Sequence, residues 1–372
     1  MGTPIHEVAT FGQSIWYDNL RRSMFASGEL VKMIEKDGLL GMTSNPSIFE
    51  KAIGSSADYD AAIGAYAKAH PQAEPLEIFE HLAIDDIRHA CDAFRPVYDR
   101  LSGRDGFVSL EVSPRLARDE HKTFAEAQRL WTAVDRPNLM IKIPGTPECV
   151  PAIRRAIAAG ININTTLLFS VHAYVAVAEA YIAGLEERHE KGHDVSKVHG
   201  VASFFLSRID TMVDKQLGDA HKELQGKAAI ANAKIAYGKY HELINTPKWK
   251  KLAAAGAHPQ RLLWASTGTK NPAYPKLMYV EQLIGPDTVN TIPGDTYDEL
   301  RDHGAGHVHD TLGSDLTGAQ HTLAAIEKAG VSIKHVTDTL LVDGVKAFEK
   351  SFDTLLAAVA DKRAKLAGGK ST

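Results

Sequence analysis

The sequence predicts an α/β protein folded as a (β/α)8 TIM barrel, with extra helices and a C-terminal helix packed over the barrel. Three observations carry that prediction. Short apolar runs alternate with long amphipathic stretches, the pattern of a parallel sheet with helical crossovers. No glycine fingerprint follows the first run, where the chain reads Asp18-Asn19-Leu20-Arg21, and no Gly-rich phosphate loop occurs. Both would mark an open doubly wound sheet. Most of the runs end in a polar residue or a turn signal, as barrel strands do where they meet a functional face.

The eight runs read as strands are Ser14–Tyr17, Leu39–Thr43, Gly106–Glu111, Leu139–Ile143, Ile161–Asn164, Val198–Ser203, Arg261–Ala265 and Thr288–Ile292. Between them, Asp119–Val134 and Leu167–Arg188 read as helices. A last long helix spans roughly His335–Lys365. Its apolar stripe of Leu341, Val345, Phe348, Phe352, Leu355 and Val359 is too short for a coiled-coil seam, so packing onto the parent domain is expected. The intervals Asn45–Glu111 and Ser203–Ser266 leave room for further helices. The polar stretch Gly184–Val198 reads as an exposed loop. One barrel domain over residues 1–372 is expected, with no internal repeat.

In a barrel the reactive groups gather at the C-terminal ends of the strands. Those ends offer Asp18, Asn45, Glu111, Lys142, Asn164, Thr166, Ser203 and Ser266. The set is more polar than stability requires. Lys142 is the sharpest feature, because it lies inside the apolar run Leu139-Met140-Ile141-Lys142-Ile143-Pro144. Burial disfavours a charged ammonium, and a neutral amine is what attack on a carbonyl requires. A lone lysine so placed can also snorkel to water from an edge strand. Glu111 and Asp18 are carboxylates suited to proton transfer, though either alone can be a cap or an ion-pair partner. Asn45, before Pro46, also fits a helix N-cap, and Thr166 fits a cap for the helix after it. Arg208 and Lys270, the latter in the Gly-containing turn Ser266–Asn271, form a candidate anion cup.

The bulk numbers exclude several classes. A formal net charge of -4 gives no global field for nucleic acid. No apolar run reaches membrane-spanning length. The N-terminus, with His6 and Glu7, lacks the apolar core of a signal peptide. Two cysteines, Cys91 and Cys149, make neither a metal motif nor a disulfide framework. A reducing compartment, most simply the cytoplasm, is expected. The tract His303-Gly304-Ala305-Gly306-His307-Val308-His309 has no thiolate nearby and reads as a loop rather than a metal site. No metal or organic cofactor is called for.

Two stretches carry a family resemblance. Thr43-Ser44-Asn45-Pro46-Ser47-Ile48-Phe49 and Leu139-Met140-Ile141-Lys142-Ile143-Pro144-Gly145-Thr146 resemble the two signatures of the transaldolases. Gly160–Ser170 and Ser203–Arg208 extend the likeness. The resemblance implies a class I aldolase barrel that transfers a dihydroxyacetone unit between sugar phosphates, from sedoheptulose 7-phosphate to glyceraldehyde 3-phosphate. It implies Lys142 as the imine-forming nucleophile. Asp18 would move the proton of the hydroxyl beside the cleaved bond, and Glu111 with Thr166 and a water would serve imine formation and breakdown. Asn45, Asn164 and Ser203 would hold hydroxyls of the three-carbon unit, and Arg208 and Lys270 the phosphate.

Departures from the family pattern are Cys149 after Glu148, where glycine is usual, and Lys270 where many members carry Arg. Phe205 stands where relatives accepting free dihydroxyacetone tend to have a polar ring, which points to transfer. The stretch near Gly184–Val198 suggests a longer bacterial form. Phosphosugars are the expected partners, with no nucleic acid and no membrane, and both a monomer and a homodimer remain open. A non-transferring class I aldolase and a non-catalytic phosphosugar-binding barrel are the alternative readings.

Overall fold

The computed structural model describes residues 2–368. Eight parallel strands close into a barrel in sequence order: β1 Gln13–Asp18, β2 Gly41–Thr43, β3 Phe107–Glu111, β4 Leu139–Pro144, β5 Ile163–Leu168, β6 Gly200–Phe205, β7 Arg261–Ala265 and β8 Thr288–Ile292. Closure comes from β1 pairing with β8 in the register Gln13↔Thr288 to Tyr17↔Ile292. Nearly every strand residue is buried, because helices cover the outside and side chains fill the inside. That is why these strands read as continuous apolar runs rather than as alternation.

The two long intervals hold helices, as expected. Pro46–Gly54, Asp60–Ala69 and Pro75–Arg100 lie between β2 and β3. Ser207–Leu217, Ala228–Ile244 and Pro247–Ala254 lie between β6 and β7. The predicted helix at Asp119 runs Glu120–Val134, with Asp119 as its N-cap accepting from the Lys122 N–H at 3.0 Å. The C-terminal helix runs Ile333–Gly368, slightly beyond its predicted ends. Its stripe is buried from Val345 through Phe348, Phe352 and Leu355 to Val359, and it packs on Pro46–Gly54 and Asp60–Ala69.

Two strands, β5 and β6, are displaced from the sequence reading, while β1 to β4 differ from it by one or two residues at one or both ends. β5 and β6 both start and end later than predicted, so Thr166 and Phe205 lie in strands. Asn162, expected in a strand, instead bridges strand starts with its side chain. Its Nδ2 donates to the Pro137 and Leu139 carbonyls, each at 3.0 Å, and its Oδ1 accepts from the His199 N–H at 2.9 Å. Thr166 therefore does not cap the next helix. That helix is Val171–Glu190, and Ser170 caps it, its Oγ accepting from the Ala173 N–H at 3.0 Å.

Gly184 begins no loop either. It lies inside Val171–Glu190 where that helix meets Val150–Ala158, and a Cβ there would stand 2.6 Å from the Arg154 carbonyl oxygen. The glycine permits close helix packing, and only Lys191–Val198 is irregular up to the next strand's approach. In the histidine tract, His303 still belongs to the helix Gly294–His303, and the irregular segment begins at Gly304.

Asn162→Ala is expected to lower unfolding stability by about 2–3 kcal/mol, since two buried backbone groups, the Leu139 carbonyl and the His199 N–H, lose their partner at once, and the Pro137 carbonyl loses the third bond. The shift of the urea midpoint checks it; a midpoint within error of the parent would contradict this role.

Candidate active site

The C-terminal strand ends converge on one cleft of about 170 Å³. Asp18, Asn45, Lys142, Thr166, Ser203, Phe205, Arg208, Ser266 and Lys270 all line it. Glu111 and Asn164 flank Lys142 on the neighbouring strands, in direct register with it. Every residue singled out from the sequence is thus brought to one end of the barrel.

Lys142 does not snorkel. Its side chain is 5% exposed, and Nζ donates to the Ser44 carbonyl at 3.0 Å. Glu111 Oε2 lies 3.5 Å from the same nitrogen, with its side chain 3% exposed. Burial pushes the Glu111 carboxyl up to about 7; the Lys142 charge opposes that rise, and Asp18 adds to it. Among the described residues, neither Glu111 oxygen has a hydrogen-bond partner, and the Thr166 hydroxyl is likewise buried and unpartnered. Buried polar atoms left so are uncommon and mark a place where function takes precedence over packing.

Asp18 ends β1 in register with Thr43 at the end of β2. Its Oδ1 accepts from the Thr43 hydroxyl at 2.6 Å, and Thr43 in turn contacts the Thr291 hydroxyl at 2.7 Å. Desolvation raises the Asp18 pKa above the usual carboxylate value, against the pull of the Lys142 charge and the Thr43 hydrogen bond. The two carboxylates therefore sit in different settings: Asp18 is held by a hydroxyl, Glu111 by the amine alone.

Asn164 is fully buried between β3 and β6. Its Nδ2 donates to Ser109 Oγ at 3.0 Å and its Oδ1 accepts from Ser203 Oγ at 2.7 Å. Asn45 does cap the helix Pro46–Gly54, with Oδ1 accepting from the Ile48 N–H at 3.0 Å. It lines the cleft as well, so the capping and site readings are both met.

Arg208 is half-buried, and desolvation lowers its pKa from the usual guanidinium value. Among the described residues no carboxylate pairs with it, and its guanidinium lies over the Phe205 ring at 5.4 Å. A partly desolvated guanidinium without a counter-ion is suited to an anion from outside the chain. Lys270 stands exposed on the same wall. Beside them Ser266, like Leu167 after Thr166, has a positive φ (55° and 59°), a strained backbone for a residue with a side chain.

Several contributors were not singled out from the sequence. Thr43 and Thr291 orient Asp18, the Ser44 carbonyl holds Nζ, and Phe348 of the C-terminal helix closes one side of the cleft. The threonines share the signal of polar strand-end positions; Phe348 was visible only as a member of the apolar stripe. The Glu148–Cys149 departure stays away from the amine. Glu148 pairs with Arg118 at 3.0 Å, and Cys149 is a buried free thiol.

A larger cavity of about 390 Å³ opens at the opposite, N-terminal end of the barrel. It holds none of these residues, and barrel chemistry sits at the C-terminal face.

Comparison with known proteins agrees with this arrangement. The transaldolase/fructose-6-phosphate aldolase family matches residues 15–359. The chain is 48% identical to a transaldolase of Trichodesmium erythraeum, over 97% of each chain. It is 46% identical to a transaldolase of Thermobifida fusca, over 98% of this chain and 99% of that one. A transaldolase of Thiobacillus denitrificans is 47% identical, over 95% and 98% respectively. The chain belongs to the transaldolase/fructose-6-phosphate aldolase family.

Proposed function

We propose that this enzyme is a transaldolase that carries a dihydroxyacetone unit between sugar phosphates on Lys142. The observation that carries the reading is the buried Nζ, held by the Ser44 carbonyl beside Glu111 in a cleft that also presents Asp18 and the unpaired Arg208. The named relatives are transaldolases, which supports the same reaction here.

Arg208 and Lys270 bind the substrate phosphate and supply remote binding energy that orients the ketose. Lys142 Nζ attacks the ketose carbonyl carbon, and the carbinolamine loses water to give an imine. Glu111 and Thr166 serve the proton and water transfers of that step. Asp18 then takes the proton of the hydroxyl on the carbon at the far end of the breaking bond. The carbon–carbon bond cleaves, its electron pair moves into the protonated imine, and an aldose phosphate leaves. The resulting enamine attacks the aldehyde of the second sugar while Asp18 returns the proton. Hydrolysis of the new imine frees the product ketose and the amine. Asn45, Asn164 and Ser203 hold hydroxyls of the three-carbon unit throughout. The pair sedoheptulose 7-phosphate and glyceraldehyde 3-phosphate, giving erythrose 4-phosphate and fructose 6-phosphate, fits this cleft chemistry.

Among the described residues, no helix is long and apolar enough to cross a membrane. Both cysteines are buried free thiols, which suits a reducing compartment such as the cytoplasm.

Borohydride treatment in the presence of fructose 6-phosphate is expected to leave a reduced three-carbon or sugar adduct on Lys142. Peptide mass spectrometry reads the site, and Lys142→Ala should give no adduct; an unmodified Lys142 in the parent enzyme would sink the proposal. The pH dependence follows from Glu111. Below about 7 this carboxyl holds its proton, and above it is the carboxylate that accepts one. The rate of imine formation should therefore rise through neutrality and level off, and Glu111→Gln should flatten that limb. A rise unchanged in the variant would remove Glu111 from this role.

Transfer rather than plain aldol cleavage is supported by Phe205. Its ring packs on Phe169 at 5.3 Å and under Arg208, offering no donor or acceptor to a free dihydroxyacetone. Initial-rate kinetics should show parallel ping-pong lines and an absolute need for an aldehyde acceptor. Steady release of dihydroxyacetone without acceptor would assign the chain to cleavage instead.

A further inference from the structure

We infer that the N-terminal end of the barrel is a second, independent binding site for a small phosphate-bearing molecule. Its cavity of about 390 Å³ is larger than the catalytic cleft and falls within the range of small-molecule sites, roughly 300–1,000 Å³. The lining comes from the strand starts: Gln13 of β1, Phe107 of β3, Gly200 of β6 and Arg261 of β7. Met140 also lines it, two residues before Lys142 on the same strand and therefore on the same face. The two sites are stacked along the barrel axis with that side chain in the layer between them.

Two observations point to an anionic ligand with a hydrogen-bonding body. The first is charge. Arg100, Arg104 and Arg261 face the cavity against Asp105 and Asp287. Arg261 is already committed: it reaches Asp105 Oδ2 at 3.3 Å and the Ser14 hydroxyl at 2.9 Å. Asp105 is also saturated, accepting from the Trp16 indole at 2.7 Å and from Ser14. Arg100 and Arg104 have no carboxylate partner among the described residues. They are exposed at the cavity rim, the arrangement that draws in and holds an anion.

The second observation is unspent polarity within the walls. His199 is 6% exposed, and neither ring nitrogen hydrogen-bonds to the protein among the described residues. Its ring stacks on His258 at 4.6 Å and lies against Phe107 at 5.1 Å, giving the cavity a flat aromatic wall. The unbonded His199 imidazole, the flat aromatic wall and two free guanidiniums together match a ligand with a phosphate at one end and a flat or hydrogen-bonding body at the other. None of these groups touches the proposed catalytic cleft, so the site stands whatever the reaction.

Inorganic pyrophosphate is the probe, titrated calorimetrically at low ionic strength into the full chain carrying Arg208→Ala and Lys270→Ala, which removes both anion ligands of the catalytic cleft. One-to-one binding is expected. Adding Arg100→Ala and Arg104→Ala should weaken it about tenfold, the loss of one to two charge-assisted hydrogen bonds. In the otherwise unchanged protein, pyrophosphate should also shift the imidazole resonances of His199 and His258. The same two arginine changes in that background should leave turnover intact, showing that the fold survives. Absence of binding in the chain lacking Arg208 and Lys270, binding indifferent to Arg100 and Arg104, or unmoved histidine resonances would each overturn the inference.

Discussion

The contact on which the rest depends is the buried amine of Lys142 between the Ser44 carbonyl and Glu111. A lysine in an apolar strand is tolerated only when its nitrogen finds acceptors. Here the acceptors come from two neighbouring loops and strands, so the barrel must be closed and in register before they meet. Register Glu111↔Lys142↔Asn164 sets three chemically different groups side by side across three strands. A slip of one residue would turn each of them out of the barrel. The chemistry is therefore a consequence of sheet geometry rather than of any local motif.

That geometry also explains the division of labour between the two carboxylates. Asp18 and Glu111 are both raised by desolvation, but only Asp18 is steadied by a hydroxyl, and that hydroxyl is itself tied to Thr291. A carboxylate with a fixed orientation suits one directional proton transfer. A carboxyl near 7 whose oxygens accept no hydrogen bond from the protein, with only the Lys142 amine beside it, suits exchange with water in either direction. Different surroundings give two residues of one chemical type separate tasks.

Much of this was legible in the sequence because charge stands out against apolar runs. Lys142, Glu111 and Asp18 are conspicuous in strands otherwise made of Leu, Ile, Val, Trp and Tyr. The eight strands were legible for the same reason, since parallel strands buried on both faces keep no polar alternation. Harder to see was anything set by contact between distant segments. Thr43 is only a strand threonine until register places it beside Asp18, and Phe348 is one of six stripe residues until its helix crosses the cleft. Gly184 reads as a loop signal until the neighbouring helix approaches within contact of its missing side chain. Thr166 reads as a cap because threonine serves both strands and caps; the choice is made by Ser170, four residues later.

Both ends of the barrel hold buried polar groups without partners among the described residues, but they differ in what else their side chains do. At the strand starts several side chains bridge segments, even though Gln13 Oε1, Asn138 Oδ1 and the Gln260 amide find no partner. Asp105 takes Ser14, Trp16 and Arg261, Asn162 ties three segments, and Asn138 Nδ2 donates to the Cys91 and Gly106 carbonyls at 2.8 Å. At the mouth, Glu111 and Thr166 stay unpartnered, and Leu167 and Ser266 hold left-handed backbones at about 1–3 kcal/mol each. Such a mouth would open locally if the strands had to find their register there. Because those bridges tie the starts of β1, β3, β4, β5, β6 and β7 together, the mouth can keep polar atoms free for a substrate without loosening the fold. The reactive amine thus rests on a scaffold whose cohesion lies at the other end of the same strands.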